Sequence, residues 1–402
     1  MGAVLAVNAG SSSLKVASFP LDARTAGSAG DGSRDGDGAA HGDGDGDGDG
    51  DGARWQPAWT AFAERLGGAA PGRLRIRHAD GTSVEQPLGE GAGHPEAIAA
   101  LLARRELFAG KGEVAGIGHR IVHGGAAHVA PARVDEALLA ALTALAPLAP
   151  LHQPHNLAGV RAARAAFPDV AQVACFDTAF HAGQPEVNRR FAVPAAWHDA
   201  GVRRYGFHGL SYESIVATLR RREPALAAGR LVVAHLGNGA SLCAVAAGRS
   251  VATTMSFSPL DGLTMGTRTG QIDAAVVFWL VRSGGLTLDA AEELLFRRSG
   301  LLGLSGVSAD MRELHASPAP AARLAVDHFV EQVVQQTGRM AAALRGIDAL
   351  VFSGGIGENA GWLRERVAAS LGWLSPAPRV LVVPTDEEAV IAGHVTALLG
   401  KH

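Results

Sequence analysis

The chain has 402 residues, 47% of them hydrophobic, and a formal net charge of −3. That composition excludes a disordered chain and leaves room for two domains with ample core. No apolar run reaches the roughly 18 residues of a membrane span, and the N-terminus lacks the basic-then-apolar order of a secretory signal.

The charge is unevenly placed. Residues 31–51 hold eight of the 39 acidic residues and one of the 36 basic ones, leaving 35 basic against 31 acidic elsewhere. A body at +4 suits a small anionic ligand and is too weakly basic for nucleic acid. Cys175 and Cys243 lie in apolar segments without metal-ligand neighbours, so both read as reduced core residues of a cytoplasmic protein.

In chain order, the apolar run Val4 to Val7 leads through Asn8-Ala9-Gly10-Ser11-Ser12-Ser13-Leu14-Lys15 into a second run, Val16 to Phe19. This reads as a β-hairpin whose tip can hold an anion through backbone N–H groups, hydroxyls and a lysine. An ordinary polar tip is the competing reading, and the spacing is not that of a Walker loop. The chain has only three lysines, Lys15, Lys111 and Lys401, which sets Lys15 apart. Residues 22–53, dominated by alternating Asp and Gly, read as a disordered insertion in a connection that tolerates length.

Strands are predicted over Trp59 to Phe62 and Arg73 to Arg77, and a helix over Pro95 to Leu107. Gly116 to Val122 reads as a strand entering the turn Gly124-Gly125. Helices follow over Val134 to Leu145 and Asn156 to Phe167, separated by an irregular Pro147 to Pro154. Val170 to Phe176 is a buried strand that delivers Asp177. His119 and His123, four apart, lie on the strand into that turn and not on a helix, which argues against zinc.

A second series begins near Arg230. Strand Leu231 to Leu236, turn Gly237-Asn238-Gly239 and strand Leu242 to Ala246 repeat the order of residues 4–19, as a duplicated nucleotide-binding core would, and a strand over Ser250 to Ser256 follows. Helices are predicted over Ala274 to Val281, Asp289 to Arg297 and Ala321 to Leu344. The buried strand Ala349 to Phe352 opens onto a glycine turn, Ser353 to Asn359, with a helix from Trp362, a ready anion or nucleotide site.

Taken together, these segments resemble the acetate kinase family of the acetate and sugar kinase/actin superfamily, over nearly the whole chain outside the Asp/Gly tract. The resemblance rests on Asn8 to Lys15, Gly118-His119-Arg120-Ile121-Val122-His123-Gly124-Gly125, Ala149-Pro150-Leu151-His152 and Phe176-Asp177-Thr178-Ala179-Phe180-His181. Tyr205-Gly206-Phe207-His208-Gly209, His235 to Gly239, Pro259 to Arg268, Gly354 to Asn359 and Pro384-Thr385-Asp386-Glu387-Glu388 continue it.

The resemblance implies an α/β protein with a two-domain, actin-like (ribonuclease H-like) ATPase fold and its active site in the interdomain cleft. Residues 1–177 with the tail from 389 would form the N-terminal domain and 178–388 the nucleotide-binding one. It implies Mg-dependent phosphoryl transfer from ATP to acetate, giving acetyl phosphate and ADP, in a homodimer. An ionised carboxylate needs no base, so catalysis falls on positioning and charge neutralisation.

By the same resemblance, Arg120 grips the substrate carboxylate, and Arg268 with His208 faces the transferring phosphoryl group. Asp177 takes the family's acid/base position, although orienting Arg120 or a metal-bound water suits an ionised substrate better. The acyl pocket would be Val122, Leu151, Phe207 and Pro259. Asn8 and Glu387 would hold Mg2+ or Mn2+. Lys15, His235, Leu236, Gly237, Asn238, Gly239, Gly355, Ile356, Gly357, Glu358 and Asn359 would surround the nucleotide phosphates and adenosine. Asp310, Met311 and Arg312 would flank the ribose and adenine, with Met311 replacing the family's usual aromatic residue. His152 lies in His152-Gln153-Pro154-His155-Asn156, which departs from the family sequence. Two rivals follow: a kinase of the same fold acting on propionate, butyrate or a sugar hydroxyl, and a non-catalytic nucleotide switch.

Overall fold

The computed structural model describes residues 2–10, 12–21, 55–68, 70–104, 107 and 114–400. Ser11 of the hairpin tip and the Asp/Gly tract at 22–53 fall outside the described residues.

Two sheets organise the chain. The first contains β1 (Ala3–Ala9), β2 (Ser13–Pro20), β3 (Trp59–Glu64), β4 (Arg73–His78), β5 (Ser83–Pro87), β6 (Val114–Ile121), β7 (Ala132–Arg133) and β8 (Gln172–Phe176). Their order is β5-β4-β3-β2-β1-β6-β8-β7. The second contains β9 (Arg230–Leu236), β10 (Ala240–Ala246), β11 (Arg249–Thr253), β12 (Ala349–Ser353) and β13 (Arg379–Val382), ordered β11-β10-β9-β12-β13.

The duplication expected from the sequence is visible in the pairing. In each sheet an antiparallel hairpin, β1-β2 or β9-β10, gains two parallel strands beside its first member: β6 and β8, or β12 and β13. The segment β3-β2-β1-β6-β8 therefore matches β11-β10-β9-β12-β13 strand for strand. Parallel strands require crossover connections, and those place helices on both faces.

Both sheets are covered accordingly. Along β1, Leu5, Val7 and Ala9 face one apolar cluster, while Val4 and Ala6 face another with Ile391, Ala392 and Val395. That alternation is the two-residue period of a strand. In the second sheet, Leu242 and Phe352 pack with the long helix Pro320–Leu344, while Cys243 and Val351 pack with helix Gly209–Arg222. The two cysteines are free and buried, as their apolar setting predicts.

The C-terminal helix Glu387–Leu399 packs on β1, β6 and β8. Its seat requires glycine: a Cβ at Gly118 would lie 2.3 Å from Ile391 Cγ2. Among the described residues no helix is long and apolar enough to cross a membrane.

Several local expectations need correction. Ser353 to Asn359 is not an open glycine turn: Gly354–Asn359 is a short helix, admitted by the positive φ of Gly354 (76°). The irregular Pro147 to Pro154 contains a 3-10 turn, Ala146–Leu148, and the next helix begins at Gln153, three residues before Asn156. Pro154 fits there because a first-turn N–H has no partner to lose. Strand β5, helix Gly209–Arg222 and strand β13 are additions the sequence pattern did not supply, and the helix that starts at Glu387 runs on to Leu399.

Candidate active site

The loops after the parallel strands and the hairpin tips gather the polar residues. Arg120, at the end of β6, donates from Nε to Asp177 Oδ1 at 3.0 Å and from Nη2 to Oδ2 at 2.6 Å. Its Nη1 donates to Asn8 Oδ1 at 3.2 Å. Asp177, just beyond β8, is 1% exposed, so the pair is a forked ion pair held away from water. Burial pushes the Asp177 carboxyl up to about 6, with Arg120 opposing the rise. Arg120 uses three of its five N–H groups in these bonds, and two remain for a ligand.

Glu387 joins from the first turn of the C-terminal helix. Its Oε2 lies 3.4 Å from Asn8 Nδ2 and 3.9 Å from Arg120 Nε, and its Oε1 accepts from the Ser211 hydroxyl. Burial would raise its pKa, but Arg120, Ser211 and His235 prevail and hold it below the ordinary value. Its neighbour Glu388 accepts from Lys15 Nζ at 2.8 Å. Lys15 stands opposite Asn8 in the β1-β2 register, so both project from the same face.

Asn8 Oδ1 and the Glu387 carboxylate are hard oxygen donors of the kind a magnesium ion prefers, although Asn8 here turns its Nδ2 toward Glu387 and its Oδ1 toward Arg120. Among the described residues no group of three or more His, Cys, Asp or Glu could hold a metal unaided. A cation there would need oxygens from phosphate and water, and the donor chemistry fits that arrangement.

On the other side stand His208 and Arg268. His208 has φ 60°, a left-handed conformation that turns it ahead of helix Gly209–Arg222. The following residue must be glycine: a Cβ at Gly209 would lie 2.1 Å from Asp177 O. His208 Nδ1 meets Ser241 Oγ at 2.8 Å, and Ser241 also bonds the Tyr212 hydroxyl. Burial, then the charges of His235, Arg120 and Arg268, hold its pKa well below normal, so the imidazole is neutral. Its ring centroid is 4.8 Å from that of His235.

Arg268 Nη1 donates to Pro259 O at 3.1 Å. Burial and the Arg120 charge both depress its pKa. His152 is lowered to about 4 by burial and by the charges of Arg268 and Arg120. His152 and His208 thus both lie within the field of the two guanidiniums. Val122, Phe207 and Ala149 belong to one buried apolar cluster, and Leu151 is half-buried in the turn preceding His152.

The glycine turn after β9 links this centre to a larger cleft. A Cβ on Gly239 would sit 3.4 Å from His208 Nε2 and 3.7 Å from Arg268 Nη1. Next to it, Gly237 and Asn238 line a cleft of about 840 Å³ together with Asp310, Met311, Gly355 and Ile356. Arg312 and Asn359 are on its wall too. Asp310 caps helix Met311–Ala316 and binds Arg312 Nη2 at 2.6 Å.

Not every expected residue reaches this cleft with its side chain. Leu236 is fully buried in the core, and Glu358 turns back to accept from Gly354 N at 2.9 Å. Gly357 is buried against the backbone of Phe352. Conversely, His315 and Trp362 stack 4.0 Å apart on the cleft wall, and Ser211, Ser241 and Glu388 brace the polar centre. The sequence alone assigned none of these a role. Ser241 and Glu388 lie at the ends of segments that stand out, Ser211 and His315 have no motif, and Trp362 reads only as the start of a helix.

The model of the acetokinase family matches residues 3–378. The chain belongs to the acetokinase family. Acetate kinase of Methylocella silvestris is 47% identical over 327 residues, covering 77% of this chain and 81% of that protein. Acetate kinase of Deinococcus radiodurans is 41% identical over 371 residues, covering 85% and 92%. Among solved structures, Porphyromonas gingivalis acetate kinase aligns with TM-score 0.81 at 30% identity, covering 99% of this chain and 100% of that one. A propionate kinase from Francisella tularensis aligns with TM-score 0.84 at 29% identity over the same shares. The two-sheet α/β architecture is the fold of these acetokinase-family kinases, consistent with the actin-like ATPase class.

Proposed function

We propose that this acetokinase-family protein is an acetate kinase, a phosphotransferase with a carboxylate acceptor: acetate plus ATP gives acetyl phosphate plus ADP. One observation carries the reading. The Arg268 guanidinium and a neutral His208 converge at Gly239, with the Arg120 charge acting on both, where the charged centre meets the cleft lined by Gly237, Asn238 and Gly355.

ATP occupies that cleft, its adenosine between Asp310-Met311-Arg312 and Gly355 to Asn359, near the His315–Trp362 stack. The phosphates run past Gly237 to Gly239 and His235 toward Lys15. Arg120, fixed by Asp177, uses its two free N–H groups to hold acetate. The methyl group rests against Val122, Leu151, Phe207 and Pro259. A carboxylate oxygen attacks the terminal phosphorus in line; the O–P bond forms as the bond to the bridging oxygen breaks, and ADP leaves with that electron pair. No proton moves, so Asp177 acts as the anchor of Arg120 and not as a base. Arg268 and His208, the latter donating from Nε2 while Nδ1 accepts from Ser241, stabilise charge on the transferred group.

Mg2+ or Mn2+ held by Asn8 and Glu387 would screen the phosphate charge when bound. The N-terminal domain comprises residues 1–177 and the tail from 389, the other domain 178–388. Packing of the C-terminal helix on the first sheet supports this division. The protein is placed in the cytoplasm as a homodimer. Support for self-association is helix Ala274–Arg282, nine residues rich in apolar side chains of which none is buried. Phe278 and Trp279 are 56% and 60% exposed there, an apolar surface that a second copy would cover.

The test is trapping of acyl phosphate by hydroxylamine with ATP and acetate, propionate or butyrate. Acetate is expected to give the highest kcat/KM, with propionate following, since one methylene is worth only about 1–3 kcal/mol in such a pocket. Turnover of a sugar hydroxyl with no hydroxamate would overturn the proposal.

A further inference from the structure

A second cluster of cations lies away from the reaction centre. Arg189-Arg190 and Arg203-Arg204 are set side by side by an isolated antiparallel bridge between Arg190 and Arg203. Arg204 N donates to Arg189 O at 2.8 Å, and the Arg204 guanidinium lies over the Phe191 ring, 4.3 Å from its centroid. Arg339, exposed near the end of the long helix, approaches the same place. With Asn188, Arg190, Arg204, Thr253 and Met340 it lines a cleft of about 230 Å³.

The carboxylates nearby are too few. Glu186 binds Arg190 at 2.7 Å, lies 4.0 Å from Arg189 and also meets His198 at 3.2 Å. Asp261 stands 3.8 Å from Arg204 and already accepts from the Ser256 hydroxyl. Among the described residues no carboxylate is paired with Arg339. Burial and the Arg339 charge together lower the pKa of Arg204 against the pull of Asp261, so the cluster is under-neutralised.

We infer that this cleft is an anion-binding site, separate from the reaction cleft, for a small multiply charged anion bearing phosphate or carboxylate groups. Planar guanidinium forks suit both oxyanion types. The volume admits a few heavy atoms and excludes a nucleotide, and none of its lining residues lines the larger cleft. Arg204 immediately precedes Tyr205-Gly206-Phe207-His208, and Tyr205 N and Gly206 N both donate to Ser256 O. Ser256 in turn bonds Asp261, in the loop whose Pro259 carbonyl holds Arg268. The site therefore adjoins both segments that present the phosphoryl-facing residues.

Isothermal titration of the full-length protein with inorganic phosphate, and separately with succinate, tests the inference. Arg268→Ala saturated with ATP serves as the control in which the reaction cleft is already filled. In that background phosphate or succinate is expected to bind still, and adding Arg339→Gln should weaken it roughly tenfold, the loss of one charge-assisted contact. Arg190→Gln should do the same, while ATP affinity and ligand-free melting temperature stay unchanged in both. Binding of phosphate alone, or of succinate alone, fixes the ligand class. No binding of either anion, or isotherms unaltered by both substitutions, overturns the inference and leaves the acetate kinase reading untouched.

Discussion

The two sheets share a strand order, yet their hairpin ends meet the reaction with opposite means. The end of the first sheet is dense with charge: Arg120 with Asp177, Lys15 with Glu388, and Glu387 beside Asn8. The end of the second offers Gly237, Asn238 and Gly239, with a half-buried His235 whose pKa is lowered by desolvation. A duplicated scaffold has thus been divided between two jobs. In the proposed reaction, one end balances the charge of a small carboxylate and a travelling phosphoryl group. The other lets backbone approach a large ligand closely, which only small side chains allow.

That contrast can be broken at its most sensitive point, the junction. Arg268→Ala is expected to lower kcat by about 10²–10³, the usual scale for one preorganised transition-state donor. ATP affinity, followed by fluorescence titration, should change little. Near-normal turnover would remove Arg268 from the chemistry.

Asp177→Asn should act on the charged end alone. Loss of the fork to Arg120 is expected to raise KM for acetate roughly tenfold or more, the equivalent of a charged hydrogen bond at about 1.5–3 kcal/mol. KM for ATP should hardly move. If kcat fell alone, with acetate affinity retained, Asp177 would be acting as a base.

The pH profile sharpens the same point. With its carboxyl raised to about 6, Asp177 is ionised above that pH and protonated below it. Protonation removes the negative partner that holds Arg120. Hence kcat/KM for acetate, expressed per ionised acetate, should fall as pH drops through about 6, and Asp177→Asn should lack that inflection. A flat wild-type profile would exclude this coupling.

At the uncharged end, Trp362→Ala should raise KM for ATP severalfold and leave kcat and acetate affinity nearly intact, because it removes one face of the His315 stack. The smallest effect is expected for deletion of residues 31–51, whose Asp/Gly composition offers no side chains to bury. Activity and melting temperature should match the intact chain, and a large loss of either would show that the tract binds or packs.

How much of this was legible in the sequence follows physical lines. Continuous apolar runs such as Leu231 to Ala234 in β9 and Ala349 to Phe352 in β12 announced strands, whose parallel pairing only the structure shows, and the hairpin pattern pointed to the duplication. Strand β5, Ser-Val-Glu-Gln-Pro, has no buried residue and so no alternation to detect. Helix Gly354–Asn359 carries three glycines, each disfavouring a helix by about 1 kcal/mol relative to alanine, and tertiary context overrides them. Helix Gly209–Arg222 buries Ser211 and Ser214 on its packed face, which blurs its apolar stripe. In the candidate site, Arg120, Asp177, His208 and Arg268 stand in the motifs that carry the family resemblance, and the fold brings them together. The partnerships around them were not legible, because Ser211 meets Glu387 across 176 positions and Lys15 meets Glu388 across 373.

The C-terminal helix has a consequence for synthesis. Asn8 and Lys15 leave the ribosome long before Glu387 and Glu388, which lie 379 and 373 positions further along the chain. Until that helix fills the hollow over Gly116 and Gly118, the hairpin carries an unmatched lysine and the strand an open apolar groove. Every growing chain therefore carries this charged cluster unfinished until Glu387 and Glu388 have been made. A message cut short before the codons for Glu387–Leu399 would yield a chain with most of its core and with Asn8 and Lys15 left without their glutamate partners.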